Sequence, residues 1–60
     1  MEKISFEEKV NVISVLGRVM DRKNLVEKIR GREKAKDLQT IENALRFYLR
    51  NTEVQGNKNE

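Results

Sequence analysis

Ser5-Phe6-Glu7-Glu8-Lys9-Val10-Asn11-Val12-Ile13-Ser14-Val15-Leu16-Gly17-Arg18-Val19-Met20 is the stretch whose reading decides the fold. It opens with the spacing of a capping box. The Ser5 hydroxyl can accept from the Glu8 amide, and the Glu8 side chain can reach back to Ser5. Past the cap, a helical turn of about 100° per residue brings Val10, Ile13, Leu16 and Met20 within about 80° of Phe6. Val12, Val15 and Val19 widen this apolar stripe on one side, and Glu7, Asn11, Ser14, Arg18 and Asp21 gather opposite. The alternation Lys9-Val10-Asn11-Val12 and its β-branched residues also suit a strand. Ile13 follows Val12 directly and breaks that alternation, so the helical period covers more positions. Residues 5–20 therefore read as a helix with a broad apolar face.

Moving outward, the helical phase breaks. Continued from Phe6, Leu25 and Ile29 would fall on the polar face, which implies a turn at 21–24. Asp21 or Asn24 can cap a second, short helix over 23–30, since both side chains accept from free amides. Gly31 ends it, because glycine takes positive-φ cap conformations without steric cost. A third helix follows over 34–51. Its apolar residues Leu38, Ile41, Leu45 and Tyr48 recur at spacings of three and four, Ala44 and Leu49 flank them, and Glu42 precedes Arg46 by one helical turn. Residues 52–60 carry one apolar side chain, Val54, and read as a disordered tail. The expectation is a single all-α domain over 1–51, long–short–long. Its core centres on Phe6, Val10, Ile13, Leu16, Val19, Met20, Leu25, Ile29, Leu38, Ile41, Leu45 and Tyr48.

Composition narrows the chemistry. Sixty residues bury a marginal core, and small scaffolds usually need a disulfide, a metal or a partner. With neither cysteine nor histidine, disulfides, thiolate or imidazole metal sites, and cysteine or histidine catalysis are unavailable. Gly17, Gly31 and Gly56 are isolated, so there is no glycine-rich phosphate loop. We therefore expect no enzyme, no cofactor, no metal and no small-molecule substrate. No apolar run is long enough to span a bilayer and the first residues do not follow the signal-peptide pattern, so the expected location is the cytoplasm. Self-association is the staple left, and a homodimer built on Val12, Ile13, Leu16, Val19 and Phe47 is expected.

Charge points to a partner. Residues 22–36 hold seven basic and two acidic side chains, +5, while the remainder sums to −2 in a chain of net +3. Arg22, Lys23, Arg30, Arg32, Lys34 and Lys36 are the candidate phosphate contacts. Two helices joined at a glycine suit a helix-turn-helix-like DNA surface, although Glu27 and Asp37 stand where that motif carries a small and an apolar residue. Thr40-Ile41-Glu42-Asn43-Ala44-Leu45-Arg46-Phe47-Tyr48-Leu49-Arg50 also resembles the second helix of ribbon-helix-helix repressors, roughly Ile-x-x-Ala-Leu-x-x-Tyr-Leu. That resemblance implies a strand over 9–16 that pairs across a dimer and reads the major groove. The cap and stripe over 5–20 imply a helix there. The expected function is a small DNA-binding regulator. The alternative is a helical interaction module, an inhibitor or anti-repressor, docking an apolar helix face on a larger protein.

Overall fold

The computed structural model describes residues 1–55. Strand β1 (Glu2–Ile4) leads into helix α1 (Phe6–Arg30). A 3-10 turn (Arg32–Ala35) connects it to helix α2 (Lys36–Arg50), and strand β2 (Thr52–Val54) follows. The molecule is mostly helical, with one short strand pair.

Residues 6–20 are helical behind the Ser5 cap, so the strand implied over 9–16 is not formed. The Ser5 hydroxyl accepts from the Glu8 amide at 3.0 Å, as its spacing implies. The Glu8 carboxylate takes a different partner from the one expected: it accepts from the Tyr48 hydroxyl.

The turn expected at 21–24 is absent, and the first two helices are one. Asp21, Arg22, Lys23 and Asn24 include neither glycine nor proline, so nothing local stops a helix of 25 residues. It ends where expected. Gly31 has φ +92° and ψ 165°, a region open essentially only to glycine, and its N–H donates to the Glu27 carbonyl.

The half-buried positions explain the apparent phase break. On α1 they include Val12, Leu16, Val19, Lys23 and Val26, spaced 4, 3, 4 and 3. On α2, Leu38, Glu42, Leu45 and Leu49 repeat the pattern, continued by Ala35 and Thr52 at its ends. This is the heptad seam of two packed helices, and the short turn makes them antiparallel neighbours. At mid-seam the Lys23 ammonium lies 2.7 Å from Glu42 Oε1, with the side chains only 15% and 8% exposed. The stripe does not stop at Lys23. It passes through one charged layer.

A third helix would be needed to bury the rest. The two helices form a single layer of 48 × 17 × 9 Å, and each covers only one stripe of the other. Hence the expected core is not formed as such. Phe6, Val10, Ile13, Leu25, Ile29 and Ile41 are exposed, Phe6 at 70%, and the other six are half-buried. The buried apolar residues among those described are Ile4 and Ala35.

The tail expectation also changes. Residues 52–54 are not disordered: β2 pairs in parallel with β1, Glu2 opposite Thr52, Lys3 opposite Glu53 and Ile4 opposite Val54. The Gln55 amide donates to the Ile4 carbonyl at 2.8 Å. Thr52 is buried, and its hydroxyl donates to the Tyr48 carbonyl at 2.8 Å, while the Asn51 side chain donates to the Phe47 carbonyl at 2.8 Å. Both add a second donor to carbonyls in the last turn of α2 that also accept from the Asn51 amide. Residues 56–60 of the expected tail lie outside the described residues.

Two glycines should respond with opposite sign. A Cβ at Gly17, inside α1, would meet no described atom beyond its own helical turn within 4 Å. Gly17→Ala should therefore stabilise the fold by about 0.5–1 kcal/mol. Gly31→Ala forces a side chain into positive φ and should cost about 1–3 kcal/mol. Thermal melts followed by circular dichroism check both, and shifts of the same sign would contradict this backbone.

Candidate interaction surfaces

The hydrogen bonds fix which residues share a side of the layer. On one side, α2 presents Gln39, Asn43 and Arg46. The Lys23 ammonium donates to Gln39 Oε1 at 3.1 Å, and the Gln39 amide donates to Asn43 at 3.0 Å. The Arg46 guanidinium donates to Glu42 Oε2 at 2.9 Å, the pair expected from their spacing, and to Met20 Sδ at 3.3 Å. At 100° per residue, Phe6, Val10 and Ile13 of α1 lie within about 80° of Met20 and belong to this side. The opposite side is marked by the Tyr48–Glu8 hydrogen bond. Val15, Val19 and Val26 lie within about 20° of Glu8 on α1. Leu38, Ile41 and Leu45 precede Tyr48 at helical spacing on α2.

The ionisable groups at these contacts are shifted in opposite directions. The Lys23 ammonium, then the Arg46 guanidinium, hold the Glu42 carboxyl below its ordinary 4.5 against the contrary effect of burial. Tyr48 is pushed up to about 12, first by the hydrogen bond it gives Glu8 and then by burial and the nearby carboxylates of Glu8 and Glu2.

The six candidate phosphate contacts are dispersed. Lys23 is committed to the seam with Glu42. Lys36 lies 3.5 Å from Glu33 at the surface. Arg22 and Arg30 are exposed on α1, where they line one hollow with Leu25, Val26 and Ile29, and Arg32 and Lys34 are exposed in the turn. The helices meet as an antiparallel hairpin, so the expected helix-turn-helix geometry is not formed. Of the residues expected to pair two chains, Val12, Leu16 and Val19 are half-buried in the seam, while Ile13 and Phe47 are exposed at 49% and 61%.

Concave space is small. A hollow of about 230 Å³ lies among Glu27, Arg32, Glu33, Ala35, Lys36 and Gln39, below the roughly 300–1,000 Å³ of ligand pockets. Among the described residues, no three acidic side chains come together as a metal-ligand set, and no helix is long and apolar enough to cross a membrane. Comparison with protein-family models, with curated proteins and with solved structures found no match.

Both pKa shifts have measurable consequences. Tyr48 is the sole tyrosine, so phenolate absorbance titrates it alone. The midpoint should lie near 12 and move toward 10 in Glu8→Gln. A wild-type midpoint near 10 would contradict the Tyr48–Glu8 contact. For Glu42 the folded pKa lies below the unfolded one. Its stabilisation is therefore present above 4.5 and lost as pH falls through the lower folded value. Melting temperatures measured from neutral to strongly acidic pH should fall less steeply for Glu42→Gln than for the wild type.

Proposed function

We propose that this chain is a small, non-enzymatic regulatory protein of the cytoplasm. It is a homodimer, and it docks the N-terminal half of α1 into an apolar groove of a larger protein. Phe6, Val10 and Ile13 stand at i, i+4 and i+7, the anchor spacing with which amphipathic helices enter such grooves. Gly17 continues that line one turn further, and it is the observation that carries the reading. Glycine inside a helix costs about 1 kcal/mol relative to alanine, yet a Cβ at Gly17 would meet no described atom beyond its own helical turn within 4 Å. A bare backbone beside exposed anchors suits close approach by a partner surface.

Ile13→Asp tests this. Ile13 lies outside the seam, so the helical signal should persist. A host protein captured by the wild-type chain at high salt should be lost with the variant. Equal capture by both, or capture abolished by nuclease, would overturn the docking reading.

A nucleic-acid reading is favoured by one feature: Arg30, Arg32 and Lys34 fall at alternate positions at the turn end of the hairpin, and all three are exposed. On that reading duplex DNA binds with a salt slope of about −0.9 per phosphate neutralised. Changing all three to Ala should flatten the slope by up to about three units, and an unchanged slope would remove this surface from consideration.

A further inference from the structure

We infer that two copies of this chain pack face to face through the Val15/Val19/Val26 and Leu38/Ile41/Leu45 side of the layer. The pairing forms a four-helix bundle that leaves the two Phe6–Val10–Ile13 stripes on opposite outer surfaces. This inference rests on the homodimer reading and adds which face is used and what remains outside it.

The two sides of the layer are chemically unequal. On the Met20–Arg46 side, α2 offers Gln39, Asn43 and Arg46, already joined to one another or to α1. On the Tyr48–Glu8 side, both helices offer apolar rows. Val15 and Ile41 are exposed at 40% and 44%, and Val19, Val26, Leu38 and Leu45, which also line the seam, are only half-buried by it. Arg22 stands at the edge of the α1 row, where its stem can cover apolar surface while its guanidinium reaches water.

Dimensions indicate a second copy as the cover. The broad side of the chain, 48 × 17 Å between its extremes, encloses a rectangle of about 800 Å², so pairing along its full length reaches the scale of roughly 800 Å² that each partner contributes to a stable interface. A domain needs at least two packed layers, and this chain makes one. Apolar rows at helical spacing on two antiparallel helices are the half-core of a four-helix bundle. A two-fold pairing sets the same rows against themselves, so one sequence satisfies both sides. The dimer then carries two docking stripes, one on each outer face, and can engage two partner molecules or two sites on one.

Sedimentation equilibrium of the full chain at tens of micromolar tests this. The wild type should sediment at twice 7.1 kDa. Ile41→Glu should raise the dimer dissociation constant by about a hundredfold or more, since pairing would strip water from an unpaired carboxylate. Ile13→Glu should leave the dimer intact. A wild type at single-chain mass overturns the pairing and the homodimer reading together. A dimer that survives Ile41→Glu but is lost in Ile13→Glu overturns only the assignment of the face.

Should Ile41→Glu unfold, thiol reactivity decides. The chain has no cysteine, so Ile41→Cys and Asn43→Cys each introduce a unique thiol. At dimer-forming concentration the thiol at 41 should react at least about tenfold more slowly than in dilute solution, while that at 43 should be unchanged. Equal reactivity of position 41 at both concentrations overturns the proposal.

Discussion

The contact between Lys23 and Glu42 is the constraint on which the rest of the structure depends. It stands midway along a seam that is otherwise Val and Leu, and it fixes how the two helices slide against each other. An apolar seam alone tolerates a slip of one heptad, because the same residue types meet again seven positions on. A slip of one heptad in either direction would part the two charges and set at least one of them against an apolar residue with much of its water removed, which is costly. Gln39 and Arg46 complete the arrangement by contacting Lys23 and Glu42 in turn. A polar layer of this kind defines register at some expense in stability.

The register determines what the hairpin ends meet. With Lys23 opposite Glu42, the end of α2 falls beside the first turns of α1. Tyr48 then reaches Glu8, and residues 52–54 come alongside residues 2–4. The parallel strand pair is thus a product of the helix register, with the hairpin serving as its crossover. Ile4, 5% exposed, finds there the burial that the helices do not offer. What the hairpin does not provide is a second layer. Each helix covers one stripe of its neighbour, and the remaining apolar side chains are left facing outward on both sides. The proposed docking and pairing surfaces are this residue of a fold with too few elements to bury its own apolar content.

Parts of this were legible in the sequence. The Ser5 cap, the end of the helix at Gly31, the Glu42–Arg46 pair and the helical period of 38–48 all depend on residues within a turn or two of each other, and all are formed. The expected break at 21–24 came from following apolar residues alone. The seam 12-16-19-23-26 is continuous only if a lysine is accepted as a seam residue, and its justification, Glu42, lies nineteen positions away. The strands escaped for the same reason. Three residues carry too little pattern to register, and Thr52 gains its partner from the other end of the chain. The basic block was visible as composition, but folding divides it: Lys23 turns inward, Arg22 and Arg30 line one hollow, and Arg32 and Lys36 line another. The Gly17 signal needed the structure, because a helical glycine's sequence does not say whether a neighbouring element crosses close to it.

A double-mutant cycle on Lys23 and Glu42 tests the central claim most directly, with thermal unfolding as the readout. Lys23→Met and Glu42→Leu alone should each lower the melting temperature by several degrees, since each leaves the opposite charge stranded at the seam. The double variant, with an apolar seam throughout, should recover most of the loss or exceed the wild type. Two small losses that simply add in the double variant would show that these side chains do not meet, and would contradict the hairpin register from which the rest of the account follows.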